Sequence, residues 1–352
     1  PVKTVDKGIG LVKSLFNKAE ENGVDFWYAS PAEKLEKTDG KITGIHVNSE
    51  EHGKVLVKAK AVVLASGGFE ADKKKRMEHL GKEWENAIVR GSEYNTGDGI
   101  TMALEVGAVK AGQYDGCHAH TTDYNSPKTG DYSKPGDIYK KSSYPLGLIV
   151  NVEGERFVDE GADFRNYTYA KYGKETLKQT QQKAFQIYDE QVRDMLRVEY
   201  NLEEATMLKA DSVEELAVKM GVDKENFLET INSYNDAVQD GDYNPSVKDG
   251  KTTVGLSPNK TNWALKFNEG PFYAYPITCG ITFTFGAIKV NNKSEVLDEN
   301  DEPIEGLYAA GEMVGDLFYH NYPGGSGLMS GSVFGKTAGD SVKNYLSTAA
   351  QN

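Results

Sequence analysis

The feature that most constrains the fold is a glycine-rich segment near the end of the chain. The stretch YHNYPGGSGLMSGSVFGKTAGDSV (319–342) has five glycines in its first seventeen residues and continues in a helical pattern. Glycines at a helix start let a ligand approach the backbone closely. A phosphate loop of the P-loop type does not fit, because no strand leads directly into the glycines and no Lys-Ser/Thr pair follows them. The segment therefore predicts a ligand that is broader and flatter than a phosphate.

Length and charge limit the kinds of function open to this chain. Its 352 residues are enough for two domains, and its 38% hydrophobic residues are enough for packed cores. The net charge of -13 argues against nucleic-acid binding, which needs clustered Lys and Arg. An anionic substrate would then need a local cationic pocket. Cys117 and Cys279 lack metal-ligand spacing, so both are predicted to be free thiols.

The chain shows no membrane-spanning or secretory pattern. No apolar run approaches the about 18 residues that a membrane span needs, so no integral membrane segment is predicted. Fold and charge favour a cytoplasmic location. The sequence starts at Pro1 without a methionine, which suggests a fragment of a longer protein.

The first part of the chain combines a helix with several strands. Apolar residues between Gly8 and Gly23 recur at helical spacing, and the following VDFWYA (24–29) has a strand-like composition. Two alternating runs surround turn signals at 39–40 and 52–53, which predicts a meander. The meander leads into the apolar run Ala61–Ala65, which is typical of a buried parallel strand.

The remaining chain passes from loops to helices and back to strands. Residues 114–172 lack periodicity and are predicted to be a functional loop region. Helical patterns dominate from 176 to 242, where an i, i+4 apolar stripe is predicted to be core; it contains Phe227, Ile231, Tyr234 and Val238. Strands return from Gly270 onward. This order predicts one domain interrupted by an inserted second domain.

Three further segments place glycines or polar residues where a ligand could bind. The strand in VVLASGGFEAD (62–72) ends in two glycines, and in an open α/β sheet such carboxyl ends face ligands. The YNTGDG segment (94–99) precedes a helix, and GLYAAGE (306–312) is a strand that runs into Gly-Glu. Taken singly, these segments are equally consistent with a tight turn or a helix cap. The candidate ligand residues are Ser66, Gly67, Gly68, Thr96, Gly97, Asp98, Gly311 and Glu312.

Together with the glycine-rich segment, these motifs resemble the FAD-dependent fumarate reductase and succinate dehydrogenase flavoprotein family. Within it, the tricarballylate dehydrogenase-like branch has a glycine segment similar to FYHNYPGGSGLMSGSVFGKTAG (318–339). The resemblance implies an α/β fold in which a FAD-binding Rossmann-like domain is interrupted by an inserted α+β capping domain. The boundaries would be 1–113 and 284–352 for the FAD domain and 114–283 for the capping domain. The family's opening G-x-G-x-x-G unit is missing, so the domain would be truncated at its N-terminus.

The resemblance also implies how FAD would be bound. The flavin ring would lie against the glycine backbone, and the helix that follows would direct its N-terminus at the pyrimidine end of the ring. Glu312 would reach the ribose, and the segments at 66–68 and 96–98 would contact the adenosine and diphosphate. The implied residues of the glycine segment are Gly324, Gly325, Ser326, Gly327 and Leu328.

By the same resemblance, the reaction moves a hydride between the flavin and a carbon next to a carboxylate, while an arginine handles the proton. NVEGERFVDEGADFRNY (151–167) is similar to the family segment that carries this arginine, which makes Arg165 the candidate. A surface arginine is the alternative interpretation. His120 is implied to be a ligand of a substrate carboxylate, whereas His118 and His120 without a third ligand do not favour a metal site.

Departures from the family pattern affect the substrate. Phe283 stands where fumarate reductases have a substrate histidine, and Tyr322 replaces their second substrate arginine. Tyr322 before Pro-Gly also resembles the 3-ketosteroid dehydrogenases, in which this hydroxyl and a backbone N–H polarise a carbonyl; here the pair would be Tyr322 and Ser326. A buried structural tyrosine is the alternative.

The sequence therefore predicts a FAD-dependent dehydrogenase or reductase acting on a small di- or tricarboxylate, with Arg165, His120 and Tyr322 as catalytic residues. An unidentified electron donor or acceptor would be its partner. Three alternatives remain open: an enzyme acting on ketosteroid-like or other enones, a flavin-binding module without redox turnover, and a fragment that binds no cofactor.

Overall fold

The computed structural model describes residues 5–134 and 136–349. Residues 1–4 and 350–352, which the predicted FAD domain includes, lie outside the described residues. Within the described part, the α-helices are α1 (Lys7–Glu21), α2 (Lys73–His79), α3 (Asp98–Glu105), α4 (Arg165–Thr168), α5 (Tyr172–Leu177), α6 (Val213–Met220), α7 (Lys224–Ala237) and α8 (Ser326–Ala349).

The strands lie mostly on either side of the helical region, as the alternation of patterns predicts. They are β1 (Ala32–Thr38), β2 (Lys41–Ser49), β3 (Gly53–Lys58), β4 (Val62–Leu64), β5 (Ile88–Val89), β6 (Lys110–Ala111), β7 (Cys117–Asp123), β8 (Leu148–Asn151), β9 (Ala184–Tyr188), β10 (Leu208–Ala210), β11 (Phe272–Thr284), β12 (Ala287–Ile288), β13 (Glu295–Leu297) and β14 (Pro303–Ala309).

The predicted α/β fold is confirmed, and its first layer contains two small sheets. β1, β2 and β3 form the predicted antiparallel meander, whose first turn has both Asp39 and Gly40 at positive φ (51° and 84°). Such turns match the twist of a hairpin. The second sheet has the order β13-β14-β4, and β4 runs parallel to β14. Their shared core includes Leu35, Leu64, Ile100, Ile288 and Leu307.

The second layer is built around the long strand β11. It pairs with β10 and β9 in its first half and with β7 and β5 in its second half. Helices α6 and α7 cover this sheet, and the predicted apolar stripe of α7 is buried in their core at Phe227, Ile231 and Tyr234. β11 crosses the predicted domain boundary at 283, and β5 joins the capping sheet from the first segment. The two layers are therefore connected by shared strands.

Local signals explain where several elements begin and end. The Ser212 side chain accepts a hydrogen bond from the Glu215 N–H at 3.1 Å and caps α6, and Gly221 at φ 67° ends it. The Asp223 side chain caps α7 in the same way through the Asn226 N–H. Helix α1 matches the predicted helix and ends before Gly23, which has φ 76°.

Four predictions on secondary structure were wrong in part. The predicted loop region 114–172 contains β7, β8 and α4. Residues 24–29 form no strand, and Trp27 and Tyr28 are exposed. The helical region contains the buried strand β9, because five apolar or amide side chains there pack between neighbouring strands. β4 is not covered on both faces, since Val63 is 43% exposed. Cys117 and Cys279 are free thiols, as predicted. No helix in the described ranges has the length and apolar character that a membrane crossing requires.

Candidate active site

The turn after β4 brings a glycine pair into very close packing. Gly67 has φ 80°, a conformation that glycine adopts without strain. A Cβ built on Gly68 would lie 2.1 Å from Thr284 Oγ1 and 2.2 Å from Glu312 Oε1. The chain therefore needs glycine at this point to let β11 and the loop after β14 approach the turn.

A cavity of about 880 Å³ lies beside this turn. Its lining includes Ser66 and two of the three predicted residues of the 94–99 segment, Thr96 and Asp98. The loops at 29–32 and 48–50 complete the wall. Thr96 Oγ1 donates to Asp98 Oδ2 at 2.8 Å, and Gly97 at φ 77° turns the chain into α3. Glu50 and Asp98 give the wall acceptor groups and negative charge, which suits the hydroxyl and amino groups of a nucleoside.

The predicted ribose ligand Glu312 belongs to a buried pair of carboxyl groups. Its Oε1 accepts hydrogen bonds from the Thr284 N–H at 2.7 Å and the Thr284 hydroxyl at 3.1 Å. Burial and the adjacent Glu70 raise the pKa of Glu312 well above its ordinary range. Two neighbouring buried carboxyl groups cannot both ionise readily, so this pair holds a proton. Gly311, at φ 72°, has open space where a Cβ would stand.

The glycine-rich segment forms an open turn before α8. Gly325 has φ 90° and no atom within 4 Å of a built Cβ, and Gly324 faces Asn166 and Tyr169 with its nearest contact at 3.6 Å. Ser326 starts α8, and the side chain of Leu328 is largely exposed. A flat group can therefore lie against this backbone without meeting side chains from the segment itself.

The structure corrects the predicted pairing of Tyr322 with Ser326. The Ser326 N–H and hydroxyl both donate to the Pro323 carbonyl, at 3.2 and 2.5 Å, because they close the turn before the helix. The Tyr322 oxygen instead accepts the Gly327 N–H at 2.8 Å. A Cβ on Gly327 would lie 2.5 Å from this oxygen, so glycine is required there.

Tyr322 belongs to an aromatic cluster that joins the glycine segment to β7 and β11. Its ring stacks on His118 with a centroid distance of 4.8 Å and an interplanar angle of 11°, and the His118 ring meets Tyr169 edge-on at 4.7 Å. The register of β7 and β11 places His118 opposite Phe283. We define the aromatic cluster as His118, Tyr169, Phe283, Phe285, Phe318 and Tyr322.

Both histidines of β7 are buried and neutral. Burial, with a smaller effect of Arg90, lowers the pKa of His118 to about 3 and that of His120 well below its ordinary range. His120 Nδ1 lies 2.5 Å from the Thr121 carbonyl and must donate to it, so the neutral ring presents Nε2 as an acceptor only. The predicted contact of His120 with a carboxylate would need the protonated ring, which burial opposes.

Arg165 lies at the start of α4, next to the aromatic cluster. Its guanidinium carbon is 5.4 Å from the centroid of the Tyr169 ring, and Nη2 donates to Asn166 Oδ1 at 2.5 Å. It forms no salt bridge with any residue in the described ranges. Burial, and then the neighbouring Arg197, lower the pKa of Arg165. Arg165 is therefore a partly buried arginine, and its role in the reaction stays a prediction.

The sequence analysis missed a second guanidinium in this region. Arg90 follows β5 and donates from Nε to Asp137 at 2.9 Å and from Nη1 to the Thr282 hydroxyl at 2.8 Å. Gly280 leaves room for it, since a Cβ there would lie 2.5 Å from the Arg90 side chain. The scarcity of arginine in this chain is the signal that could have identified it. Asp137 forms a salt bridge with Arg90, whereas no acidic residue in the described ranges forms one with Arg165.

Several known proteins are similar to this chain in sequence or in fold. The probable fumarate reductase Ifc3 of Shewanella frigidimarina is 30% identical over 341 residues, which cover 96% of this chain and 53% of that protein. The vinyl phenol reductase of Lactiplantibacillus plantarum is 30% identical over 362 residues, which cover 90% and 68%. The open conformation of a flavocytochrome c3 fumarate reductase superposes with a TM-score of 0.77 at 29% identity, covering 98% of this chain and 57% of that chain.

The family assignment rests on nearly the whole chain. The chain spans about half the length of the Shewanella fumarate reductases that it matches. Residues 2–328 match the family FAD_binding_2, described as the FAD binding domain. The chain thus belongs to the FAD_binding_2 family of flavoproteins, whose cofactor is FAD.

Proposed function

We propose that this protein is a FAD-dependent oxidoreductase that adds or removes hydrogen across a C–C bond next to a carboxylate. The observation that carries the proposal is the position of Arg165. It is half-buried, forms no salt bridge with a described acidic residue, and is linked to the glycine segment through ring contacts of Tyr169, His118 and Tyr322. The similar proteins include a probable fumarate reductase and a vinyl phenol reductase, and both names describe chemistry at C=C bonds.

The residues present fit the two ends of FAD. The 880 Å³ cavity with Ser66, Thr96 and Asp98 would hold the adenosine end. The open backbone at Gly324 and Gly325 would support the flat ring, and the N-terminus of α8 would favour negative charge at the ring edge. Glu312 would contact the ribose only through groups that Thr284 and Glu70 leave free.

In this proposal the protein residues control the proton. When bound, FAD supplies the site that donates or accepts the hydride. Arg165 would exchange a proton with the carbon next to the one that exchanges the hydride. Its lowered pKa makes proton release less costly than from an ordinary guanidinium.

Tyr322 is suited to orient an oxygen of the substrate. Its oxygen is already held by the Gly327 N–H at 2.8 Å, so its own proton is directed elsewhere and can be donated. The buried, neutral His118 stacks on its ring and fixes its orientation. A carbonyl or carboxylate oxygen of the substrate would receive this hydrogen bond.

Two classes of substrate follow from different observations. The family resemblance supports a small di- or tricarboxylate. The charges of the site argue against a substrate with several carboxylates. Asp137 already neutralises Arg90, so Arg165 is left to bind one carboxylate beside the aromatic cluster. The aromatic cluster supports a substrate with an apolar body, and the vinyl phenol reductase among the relatives is consistent with this second class.

The test is an anaerobic experiment with the FAD-loaded protein. The flavin is reduced with dithionite, and its 450 nm absorbance is followed after adding fumarate, an aconitate or an arylacrylate. We expect reoxidation by one α,β-unsaturated carboxylate and none by its saturated counterpart. Reoxidation by no alkene tested would contradict the proposal, and failure to bind FAD would support the alternative of a cofactor-free fragment.

We also propose that the protein exchanges electrons with a separate, unidentified donor or acceptor. The predicted cytoplasmic location stays a prediction.

A further inference from the structure

A chamber of about 230 Å³ lies beside Arg165, between segments that are far apart in the sequence. This volume is several times the ~30 Å³ that one water molecule occupies, so the chamber has the size of a small organic ligand. We call it the arginine chamber and define it by Ser142, Phe164, Arg165, Met195, Arg197 and Trp263.

Two positive charges in this chamber have one acidic neighbour between them, Glu199, which forms a hydrogen bond with neither. Arg165 makes no salt bridge with a described residue, and the nearest acidic contact of Arg197 is Nε to Glu199 Oε2 at 3.9 Å. The other oxygen of Glu199 is held by Lys140 at 2.7 Å. Like charges that face the same cavity repel each other. An anion placed between them would replace this repulsion with two attractions.

A buried hydroxyl gives independent evidence for a ligand. Ser142 is 1% exposed and lines the chamber, and its hydroxyl has no hydrogen-bond partner among the described residues. The neighbouring Ser143 hydroxyl, by contrast, accepts the Arg197 N–H at 3.1 Å. A buried hydroxyl without a partner is costly, so a polar ligand atom would complete the hydrogen bonding of Ser142.

The remaining wall contains two aromatic side chains. The rings of Phe164 and Trp263 are 5.6 Å apart. Trp263 has φ 58°, which is unfavourable for a bulky residue, yet it is fixed by hydrogen bonds from Nε1 to the Val247 carbonyl at 2.8 Å and from its N–H to Asp249 at 2.9 Å. Such strain persists where the surroundings impose it, and it concentrates at functional positions. The position of the indole ring in the chamber wall is therefore fixed.

We propose that the arginine chamber binds a planar, apolar acid of the arylacrylate type, with its carboxylate between Arg165 and Arg197 and hydrogen-bonded to Ser142. Cations, a hydroxyl donor and aromatic walls match the carboxylate and the flat body of such an acid. That this acid is the substrate rests on the function proposed above. The existence of the anion site does not depend on it.

The experiment is calorimetric titration of the protein with cinnamate in the absence of flavin turnover. We expect saturable binding, and an affinity that falls about ten- to hundredfold in Arg197→Gln, because hydrogen bonds to charged groups are worth that much. Arg193→Gln is the matched control, since Arg193 stacks on Tyr273 outside the chamber. Its affinity should equal that of the unmodified protein.

Two further measurements keep the proposal falsifiable if Arg197→Gln fails to fold. Neutral cinnamamide should bind the unmodified protein at least tenfold more weakly than cinnamate, and Ser142→Ala should weaken cinnamate binding by a smaller factor. Equal affinity for cinnamate and cinnamamide, or unchanged affinity in Arg197→Gln, overturns the anion site. Acetate binding as tightly as cinnamate overturns the planar, apolar acid.

The binding and turnover measurements separate the two proposals. Cinnamate binding without flavin reoxidation by any alkene leaves the chamber intact and removes the proposed function. Suppose instead that the protein does not bind cinnamate and that Arg197→Gln leaves flavin reoxidation by an alkene unchanged. That result would support the proposed function and overturn the proposal for the arginine chamber.

Discussion

The cavity beside Ser66 and the arginine chamber are built in different ways. Glycine turns and loop backbone, at 66–68, 97–99 and 48–50, shape the first. Side chains from 142–146, 164–165, 195–197 and 263, two arginines and two aromatic residues among them, shape the second. A backbone-lined cavity depends on the positions of a few glycines, whereas a side-chain-lined chamber depends on which residues the fold happens to bring together. The first therefore suits a cofactor that a whole family shares, and the second suits selection among substrates.

Among the tests of this comparison, we expect the largest effect from Arg165→Ala. Because Arg165 lies on the substrate side, we expect turnover to fall by about 10²–10⁴-fold, which is the range for a lost proton-transfer group, while FAD binding stays unchanged. Steady-state rates and a FAD titration measure the two effects. Arg193→Ala is the control. Turnover close to normal would remove Arg165 from the mechanism, and lost FAD binding would show that the two regions are not separate.

Gly68→Ala tests the other region, the turn beside the cavity that is proposed to hold FAD. Its Cβ would lie 2.1 Å from Thr284 Oγ1 and 2.2 Å from Glu312 Oε1. We expect a loss of about 1–3 kcal/mol in the free energy of unfolding, as for other overpacked sites, together with weaker FAD binding. Gly335→Ala in α8 is the matched control, because no atom lies within 4 Å of its Cβ. That change should be neutral or stabilising, and equal effects of both substitutions would contradict the packing argument.

A pH titration examines the aromatic cluster. The folded-state pKa of His118 is about 3, below its unfolded value of about 6.5. The unfolded chain therefore binds more protons between these pH values, and stability falls as pH drops below about 6.5. The slope should be about 1.4 kcal/mol per pH unit for this group.

Denaturant unfolding at pH 5 and pH 7 measures the effect, with His118→Phe as the variant that cannot titrate. We expect a smaller difference between the two pH values in His118→Phe than in the unmodified protein. The same difference in both proteins would show that His118 is not buried in its neutral form.

The smallest expected effect is that of Tyr322→Phe. The variant keeps the stacking on His118 but loses the oxygen that accepts the Gly327 N–H. We expect a loss of about 0.5–1.5 kcal/mol in the free energy of unfolding, the usual worth of one hydrogen bond. A turnover loss much larger than this hydrogen bond explains would show that the hydroxyl also contacts the substrate. Unchanged stability and turnover would leave Tyr322 with a packing role alone.

Much of the cofactor side could be predicted from the sequence. Ser66, Thr96 and Asp98 do line one cavity, because each follows or precedes a strand or helix whose end was visible in the pattern. The meander, α1 and the core stripe of α7 were predicted for the same reason, since periodicity and turn residues act over a few positions. β9 was missed because all five of its residues are buried, so no alternation was visible.

The substrate side was much less predictable. Arg165 was identified through the family resemblance. The sequence did not reveal that its guanidinium forms no salt bridge among the described residues, that Arg90 lies in the same region, or that Arg197 lines the same chamber. The pairing of Tyr322 with Ser326 was wrong because the helix start uses the Ser326 N–H to close its own turn. Sequence spacing does not reveal which backbone groups are already hydrogen-bonded.

The sequence by itself determined the α/β class, the positions of the glycine turns and, through them, the family and FAD. These depend on local backbone conformation, which glycine and strand ends specify within a few residues. Only the tertiary structure decided that burial lowers the pKa of His118, that burial beside Glu70 raises the pKa of Glu312, and that Arg165 and Arg197 face one chamber. Protonation and charge compensation depend on burial and on contacts between residues that are distant in the chain.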